Sequence, residues 1–480
     1  MKNKKMMRKI AAAAMAGALV LPATVSSSKA QTLDGWVDDS QLNNSEVAAP
    51  EAYGPTPDAL QYEYQKQELA AFCHFGPNTF NEIEWGENYG NTPPAEIFTL
   101  GPNDDFDAET LVETLKNAGF KRLIVTAKHH DGFCIWASEY TKYDVASTNY
   151  KNGEGDILAE ISKACSDYDM DMGLYLSPWD IHDQSYGYFD KDGNALVGSD
   201  GQPLNGMSWE EVEEKDVYDY NEYYRNQLEE ILGNDKYGNK GEFVEIWMDG
   251  AKGSGYKTQN YNFDDWFATI QKYEGKEAGR EADCLLFGSG AKTTVRWIGN
   301  ELGFAPDTNW AQAKLIYKDG KATDIDTGWD ESTGYAAGYP DGDVWTVPEC
   351  DARITSGWFW GNTKKTPKSM EELSEMYFRS VGHNGTLLLN VPPNDEGKLD
   401  KAIQERIVEF GNAVKNTFKT NKAEDKAAYA DTVLGNSKAY SASNVLDGDQ
   451  DTYWTPEAGN SMGSVLIDLG ETTNFDVVSI

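Results

Sequence analysis

Between about residues 58 and 418 the chain switches repeatedly between two hydrophobic periods, and each switch marks an element. Short, almost unbroken apolar runs, as expected of strands buried on both faces, occur at LAAFCHFG (69–76), KRLIVTAKHHDG (121–132), MGLYLSPWD (172–180), EFVEIWMDG (242–250), DCLLFGSG (283–290) and GTLLLNVPP (385–393). Segments with apolar residues at helical spacing lie between and after them, at 107–119, 156–168, 221–232, 264–273, 370–382 and 401–414. The first of these opens on Asp107 as a cap and closes on Gly119. VRWIGNELG (295–303) and WTVPECDARITSGWFW (345–360) read as strand and loop pieces, and 183–208 as a polar, Gly-rich insertion. Strands that alternate with helices imply a parallel sheet, and this many in one domain predict a (β/α)8-like TIM barrel, with room for irregularity.

Side chains alternate along a strand, so Val244, Ile246 and Met248 should face the outer helices while Glu245, Trp247 and Asp249 point inward. Asp249 then stands at the carboxyl end of its strand, where such barrels keep their chemistry. Taken alone, Asp-Gly is only a turn. His74, His129, His130, Trp179 and Glu301 also fall at or just past strand ends, which turns the coincidence into a pattern. His129 and His130 are adjacent, so a regular strand would send them to opposite faces. Neither an H-x-H nor an HExxH spacing is present, and hydrogen bonding to a substrate ranks above metal binding. Among the many carboxylates, Glu84, Asp249, Glu301, Glu349 and Asp351 are candidates for acid/base work, but spacing alone selects no pair. Glu349 and Asp351 are expected in a loop before GWFW, where they would pair with Arg353.

Residues 1–30 combine a basic start, a short apolar run and small residues before Gln31, which predicts a secretory signal peptide and no membrane span. Residues 31–57 read as a linker or irregular arm. The formal net charge of −37 argues against nucleic acid and anionic membranes as partners. Five scattered cysteines, without metal-ligand spacing, read as small buried hydrophobes, with a disulfide left open. No GxSxG elbow, Walker A or strand-borne GxGxxG is present, and no cofactor is called for. KDGNALVGSDG (191–201) lacks the closing Glu of a calcium loop and reads as turns.

The ordered set HFGPNTFNEIEWG (74–86), KHHDGF (128–133), YLSPWD (175–180), IWMDG (246–250), RWIGNE (296–301), GWFW (357–360) and LLLNVPP (387–393) resembles the α-L-fucosidases of glycoside hydrolase family 29. HFGPNTF and GNE look more like the subgroup acting on α-1,3/1,4-linked fucose than the broad-specificity one. The resemblance implies a retaining hydrolase acting on fucosylated oligosaccharides or glycoproteins, without a metal, with Asp249 as nucleophile and Glu301 as acid/base. It further implies fucose contacts from His74, Glu84, Trp85, His129, His130, Tyr175, Trp247 and Arg296, with Trp358 near the 6-methyl group. It covers about 58–418. From 419 onward the pattern becomes β-like, and VLDGDQDTYW and LIDLG resemble the start of a discoidin-like β-sandwich module that breaks off at residue 480. Two other classes are weighed: a metal-dependent barrel hydrolase, which chelator would inactivate, and a catalytically silent sugar-binding protein.

Overall fold

The computed structural model describes residues 33–86, 92–251, 257–361, 366–460 and 462–479; the expected signal peptide at 1–30 lies outside the described residues. In chain order the first strands are β1 (Leu69–Cys73), β2 (Arg122–Lys128), β3 (Asp171–Leu176), β4 (Glu245–Trp247), β5 (Leu285–Phe287) and β6 (Val295–Trp297). Five more follow as an insertion: β7 (Gln312–Lys318), β8 (Lys321–Asp326), β9 (Trp329–Asp330), β10 (Tyr335–Ala336) and β11 (Val344–Trp345). The last two of this unit are β12 (Val347–Arg353) and β13 (Thr386–Asn390). Strands β1 to β6, β12 and β13 run parallel and close a barrel in the order β1-β13-β12-β6-β5-β4-β3-β2.

The pleat sorts each strand into two cores. Leu69, Ala71 and Cys73 of β1, with Ile246 and Met248 at β4, join the outer core under the helices. Ala70, Phe72 and Trp247 join the inner one with Ile124, Tyr175, Leu285, Phe287 and Leu388. The helices begin where the sequence supplies caps. Asp107 accepts from the Thr110 amide at 3.1 Å, and Gly119 takes φ +99° after the helix Ala108–Ala118.

The base of the inner core is ionic. The Arg122 Nη1 donates to Glu245 Oε2 at 2.6 Å, both side chains fully buried, and the guanidinium lies 3.7 Å from the ring centre of Tyr64. Tyr64, from the helix Ala59–Gln67, donates its hydroxyl to Glu349, which also accepts from Trp247 Nε1 at 2.8 Å. Burial pushes the Glu349 carboxyl well above its usual range, and the charge of Glu245 adds to the effect.

Two local expectations are corrected. Glu349 and Asp351 lie within β12 and not in a loop, and Arg353 ends that strand. In β2 the pairing with β3 slips between Thr126 and Lys128, a bulge that interrupts the alternation. Lys128 is thereby set against Asp180 at 3.2 Å and Gln227 Oε1 at 2.9 Å, on the helix Tyr220–Leu232, while His129 and His130 both open on the barrel mouth.

The insertion had no counterpart in the hydrophobic pattern. Strands β7 and β8 form a hairpin with β11 beside β7, and β9 pairs with β10. All five cysteines are buried and unpaired, as small core residues.

The chain divides into two compact units, residues 54–414 as above and a second drawn from both ends, up to Tyr53 and from Lys415. In the second, β14 (Ala427–Ala430) pairs antiparallel with β15 (Val465–Asp468). Of the segment 31–57 read as an arm, residues 33–53 are part of this unit: Val37 bridges Ala430, Asn43 bridges Ser437, and Leu42 packs with Ala428, Val433 and Tyr440.

Candidate active site

A cavity of about 550 Å³ opens at the carboxyl ends of the barrel strands. Every residue that the family resemblance assigns to catalysis or sugar contact lines it: His74, Glu84, Trp85, His129, His130, Tyr175, Trp247, Asp249, Arg296, Glu301 and Trp358. Closure of the barrel explains this convergence, because these residues lie near the ends of its strands or in the loops that follow them.

Asp249 follows β4 by two residues. Its Oδ2 accepts from the Tyr175 hydroxyl at 3.0 Å and its Oδ1 from the Ala251 amide at 2.6 Å, so both oxygens are oriented. His130 Nε2 lies 3.7 Å from Oδ2. Glu301 stands in the loop after β6, with its Oε2 3.2 Å from Arg353 Nη2.

Three imidazoles line the same cavity. His74 Nδ1 is 2.8 Å from Asn390 Oδ1; that oxygen only accepts, so Nδ1 carries the proton and Nε2 is left as an acceptor. Burial pushes His74 down to about 3, pushes His129 well below its usual range, and lowers His130 against the opposing charge of Asp249. All three rings are therefore neutral near pH 7. His130 Nδ1 is held by Ser177 Oγ at 2.7 Å, whose own hydroxyl donates to the Trp179 carbonyl at 2.7 Å.

The aromatic walls are packed against each other. Trp247 stacks between Phe287 (centroids 3.8 Å) and Tyr175 (5.2 Å). Trp358 lies 5.0 Å from His74, and its carbonyl accepts from Asn390 Nδ2 at 2.6 Å. Trp85 meets Trp179 edge-on at 5.4 Å, and Asn78 holds the loop before it through the carbonyls of Ile83 and Glu84. The Glu84 carboxyl is raised by burial, with Arg353 opposing the shift.

Arg296 lines the cavity and is also tied to its wall. Its terminal nitrogens donate to the Ala336 carbonyl, to Asn309 Oδ1 at 2.6 Å and to the Trp310 carbonyl at 2.7 Å, all between β6 and β11, and its buried Nε has no partner among the described residues. The guanidinium thus braces the cavity wall, and desolvation lowers it to about 10. Trp179, at a strand end in the sequence, is fully buried as packing for Trp85 and His130.

Sequence reasoning gave no site role to Asn390, Ser177, Trp297 and Trp329, and assigned Arg353 to Glu349 and Asp351, whereas it pairs with Glu301. Arg353 and Asn390 were readable, since each is the last residue of a barrel strand, as His74 nearly is. Asp351, a candidate acid/base by its sequence, has another attachment: it accepts from Trp297 Nε1 at 2.8 Å, and burial, reinforced by the charges of Glu301 and Asp249, raises it to about 8.

Neutral acceptors, one carboxylate oriented at the floor, a second on a loop and an aromatic surround make a site for a hydroxyl-rich, partly apolar ligand. The family model described as alpha-L-fucosidase matches residues 40–283 and 304–417; the stretch 284–303, which holds Arg296 and Glu301, lies between the two matches. Alpha-L-fucosidase 1 of Arabidopsis thaliana is 35% identical over 446 residues, covering 92% of this chain and 77% of that protein. A Ruminococcus gnavus GH29 fucosidase, solved in complex with fucose, is 58% identical with a TM-score of 0.83 over 91% of this chain and 83% of its own. The structure named SpGH29 is 36% identical, TM-score 0.73, over 88% and 82%. The chain belongs to glycoside hydrolase family 29 and is an α-L-fucosidase.

Proposed function

We propose that the enzyme is a retaining exo-α-L-fucosidase that removes terminal α-1,3/1,4-linked fucose from Lewis-type glycans by double displacement. One observation carries the mechanism: Asp249, oriented by Tyr175 and Ala251, and Glu301, tethered by Arg353, open onto the same cavity. Asp249 attacks the anomeric carbon while Glu301 gives its proton to the departing glycosidic oxygen, leaving a fucosyl ester on Asp249. Glu301, now a carboxylate, takes a proton from water as that water attacks the same carbon, and fucose leaves with its configuration retained. His74 and His129, neutral, accept from sugar hydroxyls, and Trp358 stands against the methyl group. Glu349 is unsuited to the acid/base role because it is sealed in the base of the barrel by Tyr64 and Trp247.

The linkage preference rests on the motif resemblance in HFGPNTF and GNELG. Export rests on the character of residues 1–30, and a discoidin-like module on VLDGDQDTYW and LIDLG. Kinetics of Glu301→Ala test the assignment. The variant should be slow on a Lewis trisaccharide, less impaired on a nitrophenyl fucoside and partly rescued by azide, with an α-fucosyl azide product, because azide takes the place of water in the second displacement. Azide rescue in Glu84→Ala, with Glu301→Ala near wild type, would move the role to Glu84. Faster release from an α-1,2-linked substrate than from the trisaccharide would overturn the linkage.

A further inference from the structure

We infer that the cavity mouth holds a second, aromatic subsite in which Trp297 and Trp329 receive the pyranose that departs with the glycosidic oxygen, and that Asp351 is the positioning residue for Trp297. This rests on the fucosidase reading of Asp249 and Glu301. The aromatic rings near the floor are almost wholly covered, Trp247 at 6% and Trp358 at 8% exposure, whereas Trp297 is 41% exposed and Trp329 50%. All four line the same cavity. Scattered exposed aromatics on a protein surface need no explanation. Three indoles keep an open face at this cavity, Trp85 (46% exposed), Trp297 and Trp329; Trp85 already has a role against the fucose, and the other two, from two different parts of the chain, are better explained by a second sugar ring.

Each ring is also held. Trp297 is the last residue of β6 and lies in register with Glu349 of β12, two residues before Asp351. The bond from its Nε1 to Asp351 Oδ1 pins the indole edge to the barrel, so the ring cannot turn inward to hide its face. Trp329 arrives from the other side, on β9 of the insertion. Its ring rests on Gly299, where a Cβ would come within 2.2 Å of it, and Gly299 takes φ +103°. That residue opens the loop that carries Glu301 two positions later. Both rings therefore line the cavity beside the loop that presents Glu301 to the glycosidic oxygen. The ligand class follows from the chemistry: a pyranose presents C–H bonds on one face, which suits an indole face, and hydroxyls around its rim that remain in water. A cavity of about 550 Å³ is in the range that takes ligands larger than one deoxyhexose.

The test compares two leaving groups on the whole protein. α-L-Fucosyl fluoride loses an ion with no ring. The second substrate is whichever of the α-1,2-, α-1,3- and α-1,4-linked fucosyl oligosaccharides the wild type cleaves fastest, so that a wrong linkage assignment changes the substrate and leaves the comparison intact. Absence of wild-type turnover on the fluoride and on every glycoside would instead overturn the fucosidase reading itself. For Trp297→Ala and Trp329→Ala, kcat/KM on the glycoside should fall about tenfold more than on the fluoride. Trp329→Phe should recover most of the loss. Asp351→Leu should follow Trp297→Ala, chiefly through KM for the glycoside, while Asp351→Asn, which keeps an oxygen for the indole N–H, should stay near wild type. Equal losses on both substrates, or none on the glycoside, would overturn the subsite. A loss in Asp351→Asn equal to that in Asp351→Leu would overturn the positioning role.

Discussion

The floor and the wall of the cavity are built by different means. On the floor each working side chain stands at the end of a barrel strand and is braced by a neighbouring strand or its loop: Tyr175 holds Asp249, Asn390 holds His74, Ser177 holds His130. The wall is raised on the insertion between β6 and β12, which contributes Ile325, Thr327, Trp329 and Ala336 and is tied to the barrel by Arg296. Precise placement of reacting atoms comes from the closed sheet, which cannot shift one strand without its neighbours. Contact with whatever the fucose is attached to is shared between Trp297 at the rim of the barrel and Trp329 on the short strands of the insertion. The difference separates the chemistry, which tolerates little movement, from selection of the leaving group, which can vary without disturbing it.

Substitutions that strike one side alone will sharpen this contrast. The largest effect belongs to the floor: Asp249→Ala should lower kcat about 10⁴-fold or more with an unchanged unfolding transition, measured on a nitrophenyl fucoside. A smaller loss would mean that another carboxylate supplies the nucleophile. Next comes the ionic base beneath the floor. Arg122→Ala leaves Glu245 buried without its cation and should cost about 3–5 kcal/mol in urea unfolding. A cost under about 1 kcal/mol would show that the pair is replaceable.

His74 supplies a pH test. Its folded-state value of about 3 lies below the roughly 6.5 of a free ring, so between those values the unfolded chain binds more protons. Its contribution to stability is therefore complete above about pH 6.5 and lost as pH falls towards 3. His74→Gln should narrow the gap between urea midpoints at pH 7 and pH 5, and an unchanged gap would count against the buried neutral ring. The smallest effect belongs to the wall. Asn309→Ala removes the acceptor of Arg296 Nη2 and a donor to the His383 carbonyl, and should cost about 1–2 kcal/mol. It should leave turnover of fucosyl fluoride closer to wild type than Asp249→Ala by orders of magnitude. If it matches Asp249→Ala, wall and floor are not separable.

The same division governs what was legible in the sequence. The barrel was readable because its strands are apolar on both faces and its helices carry local caps such as Asp107. Asp249 was readable because a polar residue directly after such a strand has one place to go. The insertion was not, since strands as short as β9, β10 and β11 exist only through pairings that the local pattern does not encode. One local signal was available: Asp319-Gly320 stands between the strands of the β7–β8 hairpin, a common turn pair there. Arg353 could also have been found, because Glu349, Asp351 and Arg353 alternate along one strand and share a face. The role of residues 33–53 was hidden by distance, for Val37 and Asn43 pair with Ala430 and Ser437 nearly a chain length away.

The bulge in β2 makes the site more sensitive to the length of one segment than to its composition. Lys128 reaches the helices because the strand carries a residue too many for its pairing with β3, and the chain leaves the strand directly afterwards, so His129 and His130 both reach the barrel mouth. Between Arg122 and Lys128 an apolar exchange of similar size would perturb packing and leave the count intact. Deleting the codon of Ala127 would restore the regular pleat, draw Lys128 off Asp180 and Gln227 and shift both imidazoles by one position relative to the mouth. In a library that samples both kinds of change, this segment should accept many replacements and almost no indels.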